Sequence, residues 1–365
     1  MTHFIFIFAK KYEMSESFDI RKWFKNRDEL LVISGPCSVE SREQLLETAK
    51  GLSEINRVKV LRGGIWKPRT RPDSFEGIGE EGLQWMQEAK KRYGFLTMTE
   101  VAVPEHVELA LKYGIDILWI GARTVVNPFS VQELADSLKG CDIPVFVKNP
   151  IAPDVKLWLG AFERLGGAGL KYLGAIHRGF SSADETPYRN APIWSIPVEL
   201  KRLRPDIQII TDVSHICGCR ELLQQTAQKA LDFGTKGFMI ETHCNPEKAL
   251  TDANQQITPE SLKKALDKLI IKKINTDKDE EILLDLRKEI DEIDDELLNL
   301  IAKRMNISEK IGEFKKQHNL TVLQMERWKS VLDDHINKGV NLGLNEDSVK
   351  EIFEIIHKDS IERQL

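Results

Sequence analysis

Eight short runs rich in β-branched and apolar residues recur along the first two-thirds of the chain: Leu30–Gly35, Lys59–Trp66, Phe95–Val101, Ile117–Gly121, Pro144–Lys148, Leu173–His177, Ile207–Asp212 and Gly237–Thr242. Between them lie stretches with the three-to-four-residue apolar period of a half-buried helix, among them Arg42–Ile55, Glu80–Tyr93, Pro104–Tyr113, Ser130–Leu138 and Arg220–Asp232. Strands alternating with helices predict parallel βαβ units. Eight such units predict a closed (β/α)8 TIM barrel of the α/β class. A doubly wound open sheet competes, but no glycine-rich dinucleotide fingerprint follows the first run.

After Ile257 the pattern changes. Thr258-Pro259-Glu260-Ser261 starts a helix with proline in its first turn. The charged segment 272–278 reads as a linker, and from Asp279 onward only helical periodicity remains. One apolar stripe runs through Leu286, Ile290, Ile293, Leu297, Leu300/Ile301, Ser308 and Ile311. A helix from Glu280 to Gln317 would be on the order of 57 Å long. Two shorter helices, near Gln324–Lys338 and Asp347–Arg363, cannot cover it, so the sequence predicts a small three-helix domain that dimerises. The expected organisation is therefore a tail at 1–24, a barrel at 25–271, a linker at 272–278 and a helical domain at 279–365.

Composition narrows the function classes. The 365 residues carry a net charge of −5, which argues against general nucleic-acid binding. No apolar run approaches the ~20 residues of a membrane-spanning helix. The five cysteines, an odd number without framework spacing, read as reduced thiols and suggest a cytoplasmic protein. The opening MTHFIFIFAKKYEM lacks the charged start and the cleavage site of a secretory signal, and Met14 is a candidate true start.

In a barrel, chemistry sits where strands end. There the sequence offers Cys37 after the first run, Lys67, Arg69 and Thr70 after the second, Glu100 after the third, Arg123 after the fourth, Lys148 at the fifth, Arg178 after the sixth, Ser214 and His215 after the seventh, and Glu241, His243 and Asp252 at and after the eighth. A single cation there could merely pair with a local acid. Five such positions in an acidic chain point to a site for phosphate and carboxylate groups. Cys37, His215, Glu241 and Asp252 together suit a divalent Mn, Fe, Co or Zn ion. Cys217 and Cys219 lack zinc-site spacing and read as structural.

On the long helix Arg304 and Lys315 lie eleven residues apart, three turns, on the apolar stripe. Cations on a core-facing stripe need acids or an anionic ligand. Arg287 points about 100° away and would more easily serve a neighbouring chain. In the last helix Val349, Phe353, Ile356, Ser360 and Gln364 share one face. A plain dimerisation bundle with solvated charges is the competing reading.

These residues carry two resemblances. Gly35-Pro36-Cys37-Ser38, Lys67-Pro68-Arg69-Thr70, Gly121-Ala122-Arg123, Ser214-His215, Met239-Ile240-Glu241-Thr242-His243 and Ala249-Leu250-Thr251-Asp252 occur in the order that resembles 3-deoxy-D-arabino-heptulosonate 7-phosphate (DAHP) synthases of the compact type. The related octulosonate 8-phosphate synthases are the alternative, and the Lys-Pro-Arg-Thr segment favours the heptulosonate enzymes. The resemblance implies condensation of phosphoenolpyruvate with erythrose 4-phosphate. It implies a metal on Cys37, His215, Glu241 and Asp252. Lys67, Arg123, Lys148 and Arg178 would hold phosphoenolpyruvate, and Arg69, Thr70 and Ser214 the sugar phosphate, with Lys67 also the proton-transfer group. One departure is Val213, where those enzymes usually have proline.

Residues 279–365 resemble the all-helical chorismate mutases through Leu286 to Asp294, Arg304, Ile311-Gly312, Lys315, Arg327, Ser360 and Gln364. The resemblance implies that Arg304, Arg327 and a partner chain's Arg287 clamp the carboxylates of chorismate, with Lys315 and Gln364 facing its ether oxygen and Gln324 near its hydroxyl. Trp328 replaces a glutamate common in those enzymes. A second possibility follows, in which the helical domain only senses chorismate or prephenate, so that feedback on the barrel acts through it.

Overall fold

The computed structural model describes residues 18–25, 30–67, 75–183, 185–271, 277–323 and 325–365. The chain separates into two compact units, Met1–Lys272 and Lys273–Leu365.

In the first unit eight parallel strands close into a barrel: β1 (Leu31–Gly35), β2 (Val58–Arg62), β3 (Leu96–Val101), β4 (Ile117–Ile120), β5 (Val145–Lys148), β6 (Leu173–His177), β7 (Gln208–Asp212) and β8 (Gly237–Glu241). The last strand pairs with the first, Leu31 opposite Gly237 and Gly35 opposite Glu241. The two-residue period of a strand divides its side chains between two cores. Leu31, Ile33, Val60, Met98, Trp119, Phe146 and Met239 fill the barrel interior. Val32, Leu61, Leu118, Val147 and Ile240 face the surrounding helices.

Those helices are α1 (Ile20–Lys25), α2 (Arg42–Ser53), α3 (Glu80–Tyr93), α4 (Pro104–Lys112), α5 (Pro128–Ser137), α6 (Val155–Gly167), α7 (Ser195–Leu203), α8 (Val213–Cys217), α9 (Leu223–Asp232) and α10 (Pro259–Asp267). Helices α6 and α7 lie outside the stretches singled out from sequence. Helix α6 starts where the Asp154 side chain accepts the Leu157 N–H, and it buries Trp158, Phe162 and Leu165 at helical spacing. Helix α10 starts on Thr258 with Pro259 in its first turn, as its sequence predicts.

Two local expectations change. Residues 20–24 lie in the segment expected as a tail, yet with Lys25 they form α1. Its Trp23 is buried against Phe146 among the interior side chains and closes the end where the strands begin. Strand β2 ends at Arg62 rather than Trp66. Gly63 and Gly64 follow, and a Cβ on Gly64 would come within 2.5 Å of the Cys37 carbonyl oxygen, so the chain leaves the sheet there. Lys67 therefore lies in a loop beyond the strand end, tied down by its N–H donating to the Glu76 carbonyl at 2.8 Å.

Gly35 sits at the end of β1 with φ +148°, and a Cβ there would meet the Arg62 carbonyl oxygen at 2.0 Å. Neither the conformation nor the space admits a side chain. Gly35→Ala is expected to destabilise the barrel by about 3 kcal/mol or more. The thermal midpoint of the full chain should fall by roughly 6–12 °C, and an unchanged melting curve would contradict this.

The second unit holds three helices: α11 (Asp277–Gln317), α12 (Met325–Asn341) and α13 (Glu346–Glu362). Helix α11 has 41 residues, a length of about 61 Å. Met305, Ser308 and Gly312 on its later turns are buried, with Gly312 lying against the Gln364 backbone. Earlier on the same helix Leu286, Ile290, Ile293 and Leu297 are 50–57% exposed.

Candidate active sites

The strand ends of the barrel converge on a buried acidic and thiol cluster. Donor atoms of Cys37, Glu241 and Asp252 all lie within 4.8 Å of one another. Glu241 is the last residue of β8 and is fully buried. Its Oε1 accepts from Arg62 Nη1 at 2.8 Å and its Oε2 from Gln255 Nε2 at 2.7 Å. Asp252 takes a left-handed backbone conformation (φ 45°), which aspartate tolerates, and pairs with Arg189 at 2.9 Å. The Cys37 Sγ lies 2.9 Å from Lys67 Nζ and 3.3 Å from Asp252 Oδ2.

His215, the fourth expected ligand, stands in α8 beside this cluster. Its Nδ1 is 2.9 Å from Asp212 Oδ2 and 3.8 Å from Glu241 Oε1. Burial pushes the Cys37 thiol up to about 12, helped by the negative charge of Glu241. Burial also pulls His215 down, against the pull of Asp212. Asp252 goes the other way: burial favours its acid form, but His215 and Arg189 outweigh it and hold the carboxylate ionised. A thiol and two carboxylates brought within reach of one another, with the His215 imidazole beside them, fit a borderline divalent metal.

Next to this cluster lies a cavity of about 220 Å³ lined by Arg123, Lys148, Arg178, Arg189, Asn190, His215 and Glu100, with Ala122 and Ile151. Four cations face one acid, so the cavity suits a small polyanion. Lys148, the last residue of β5, is buried and pairs with Asp212 at 2.8 Å. Burial draws the Arg178 guanidinium down to about 10; Asp212 opposes this, while Arg189 and Arg123 add to it.

Of the expected phosphoenolpyruvate residues, the structure brings Arg123, Lys148 and Arg178 together here and sets Lys67 against Cys37. Arg69 and Thr70 lie outside the described residues. Ser214 is placed differently from its expected contact with the sugar phosphate. It is fully buried and does not line the cavity, because α8 begins at Val213 and turns its Oγ to accept the Glu241 N–H at 2.9 Å.

Sequence reasoning missed Arg62, Arg189 and Asp212. Arg62 and Asp212 each end a strand, which is the signal that could have found them. Arg189 sits in a long loop and carries no such signal.

In the helical unit a separate cavity of about 370 Å³ is lined by Arg304, Ser308, Lys315, Arg327, Trp328, His357, Ser360 and Gln364, with an apolar floor including Ile311 and Val331. Arg304 Nη1 donates to the Ser360 hydroxyl and, at 3.4 Å, to the Ile356 carbonyl. Lys315 Nζ donates to Gln364 Oε1 at 3.0 Å and to the Val322 carbonyl at 2.6 Å. The Trp328 ring stacks on His357, centroids 3.6 Å apart. Arg287 is exposed and does not line this cavity. Gln324 lies outside the described residues.

The fold and the first site define a class: a (β/α)8 barrel with a candidate metal cluster beside a cationic pocket, followed by a helical unit with a second cavity lined by cations. A profile of the DAHP synthetase I family matches residues 15–277, and one of chorismate mutase type II matches 286–365. A phospho-2-dehydro-3-deoxyheptonate aldolase of Thermotoga maritima is 35% identical over 238 residues, covering 65% of this chain and 68% of the relative. A 2-dehydro-3-deoxyphosphooctonate aldolase of Wolinella succinogenes is 26% identical over 66% of this chain and 98% of its own length. Among solved structures, the Thermotoga maritima DAHP synthase superposes with a TM-score of 0.59 at 34% identity, over 65% of this chain and 67% of that one. Its truncated form gives 0.57 at 32%, covering 65% and 84%. The chain belongs to the DAHP synthetase I family and carries a type II chorismate mutase domain after its barrel.

Proposed function

We propose that the barrel condenses phosphoenolpyruvate with erythrose 4-phosphate and water to give DAHP and phosphate, and that the helical domain rearranges chorismate to prephenate. The observation that carries the first reading is the four-cation cavity set against the Cys37–Glu241–Asp252 cluster. The match to the octulosonate relatives is weaker than the match to the heptulosonate enzyme.

In this reading Arg123, Lys148, Arg178 and Arg189 bind the phosphate and carboxylate of phosphoenolpyruvate. They hold two polyanions adjacent despite their repulsion. Arg69 and Thr70 receive the sugar phosphate. Cys37, His215, Glu241 and Asp252 would hold a divalent Mn, Fe, Co or Zn ion. That ion, when bound, supplies Lewis acidity toward the aldehyde oxygen. C3 of phosphoenolpyruvate attacks the aldehyde carbon, and the Lys67 ammonium gives its proton to the new hydroxyl. Water adds at C2 and phosphate leaves.

In the helical domain Arg304 and Arg327, with Arg287 of a second chain, would fix the two carboxylates. Lys315 and Gln364 would stabilise charge on the breaking ether oxygen. Gln324 would bind the hydroxyl. The bare apolar stripe from Leu286 to Leu297 supports a homodimer through α11, which also brings a partner's Arg287 within reach. The domain boundaries then fall as barrel to residue 271, a linker from 272 and a mutase domain that includes all of α11, whose first residues Asp277 and Lys278 lie in the segment expected as linker. Among the described residues no helix is long and apolar enough to cross a membrane, and a cytoplasmic biosynthetic enzyme fits that. Feedback by prephenate on the barrel, acting through the helical domain, completes the reading.

One coupled assay tests it. With erythrose 4-phosphate, phosphoenolpyruvate should be consumed, and with arabinose 5-phosphate hardly at all. A chelator should abolish that activity and leave conversion of chorismate to prephenate intact. Chelator-resistant condensation would remove the metal from the mechanism, and a silent helical domain would leave it a sensor.

A further inference from the structure

Two amide side chains hold Arg178. Its backbone N–H donates to Asn149 Oδ1 at 2.7 Å, and Asn149 Nδ2 donates in turn to the Pro150 and Gly179 carbonyls, both at 2.8 Å. Asn149 is fully buried, so the chain leaving β6 is fixed at this point. The guanidinium is held separately. Its Nη1 donates to Asn190 Oδ1 at 2.6 Å, and Asn190 Nδ2 donates to the His215 carbonyl at 2.6 Å. A guanidinium can only donate and a carbonyl can only accept, so the amide fits in one orientation. Both its ends are committed, one to the cation and one to the backbone of α8.

The backbone around Asn190 is equally constrained. The Asn190 N–H donates to the Ile216 carbonyl at 3.2 Å, and the Phe180 N–H donates to the Ala191 carbonyl at 2.8 Å. Gly179 has a φ of +78°, and a Cβ there would lie 2.5 Å from the Asn190 carbonyl oxygen. The loop is thus pressed against the turn that carries Arg178.

The cations of the cavity are compensated unequally. Lys148 pairs with Asp212, and Arg189 with Asp252. Among the described residues no carboxylate pairs with Arg178. Its guanidinium is bonded to the Asn190 amide and, at 3.5 Å, to the Gly179 carbonyl. A carboxylate at position 190 would grip the guanidinium more strongly. It would also cancel its charge and repel an incoming anion. A neutral amide orients the cation without cancelling it.

We propose that Asn190 is a positioning residue of the phosphoenolpyruvate pocket, aiming Arg178 at the ligand while leaving its positive charge uncompensated. This rests on the reading that Arg178 binds phosphoenolpyruvate.

The test is calorimetric titration of phosphoenolpyruvate into the full-length chain without erythrose 4-phosphate, followed by half-saturation measurements with both substrates. Asn190→Ala removes the acceptor and should weaken phosphoenolpyruvate binding about tenfold. Asn190→Asp keeps the size and the acceptor oxygen but adds a charge, and should weaken it by about thirtyfold or more. Half-saturation by erythrose 4-phosphate should stay within about twofold of the parent in both variants. A residue that only braces the loop gives the opposite order, with aspartate milder than alanine, and that order overturns the proposal. Loss of bound metal with phosphoenolpyruvate binding intact also overturns it, because the asparagine then acts through His215. A third variant decides even where Asn190→Asp does not fold. In a chain carrying Arg178→Lys, whose ammonium has no planar fork to aim, Asn190→Ala should cost less than about threefold in binding. The full tenfold cost there would show that Asn190 does not act through Arg178. If the parent chain binds no phosphoenolpyruvate, the assigned reaction fails and this inference with it. If the parent binds and both Asn190 variants bind equally well, this inference fails alone.

Discussion

Cys37→Ala should lower DAHP formation by roughly three orders of magnitude or more while chorismate rearrangement proceeds at the parental rate. The side chain is fully buried, small and close to two carboxylates and Lys67. Replacing it with alanine leaves little empty volume, so the fold should hold. What goes is the softest donor of the cluster. Several kcal/mol of Lewis-acid stabilisation depend on the ion that donor helps to retain, which corresponds to about a thousandfold in rate. Metal analysis of the purified variant should show the ion depleted. The two activities of one chain serve as controls for each other: a variant that loses both has lost its fold, and a variant that keeps both excludes Cys37 from the chemistry.

Lys315→Met should have the converse effect. Its ammonium faces the helical cavity and is held by Gln364 Oε1 and the Val322 carbonyl. Methionine keeps the length and the apolar stem but removes the charge. Loss of one positioned donor to a developing negative charge costs about two to three orders of magnitude in kcat. DAHP formation should be unaffected. Lys315→Arg should recover part of the loss. If Lys315→Met instead raises KM and leaves kcat alone, the lysine binds substrate without stabilising the breaking bond.

Much of this architecture was legible from the spacing of apolar residues alone. All eight strand runs lie within a few residues of the observed strands, because a buried parallel strand needs a continuous β-branched segment. The error at β2 has a local cause: Lys59–Trp66 keeps its apolar texture across Gly63 and Gly64, and texture does not register that a backbone must pass close beneath the Cys37 carbonyl. Helix α1 was missed because six residues carry too little periodicity to stand out, and only its tertiary contacts show why Trp23 is there.

The candidate sites were legible as single residues and less so as partnerships. Cys37, Glu241 and Asp252 come from separate turns, and nothing in their spacing shows that they meet. Ser214 illustrates the limit: the family resemblance implied a contact with the sugar phosphate, whereas a short helix turns it inward to hold the backbone of β8. In the helical domain α13 carries Ser360 into the cavity, and Gln364, in the turn just past the end of that helix, joins it there. Trp328 could be seen as a departure, but its stacking on His357 could not.

Arg62 gives the candidate metal cluster a further property. Its guanidinium is sealed in the barrel, bonded to Glu241 and to the Cys37 carbonyl and lying over the Trp119 ring. Glu241 thus has a resident counter-ion before any metal arrives, so it stays ionised and aimed without one. The same guanidinium repels an incoming cation. Folding has therefore already supplied the alignment of this donor, and the pull on the ion is weaker than that of a bare carboxylate. A divalent ion held there would be selected by donor softness and fit more than by attraction.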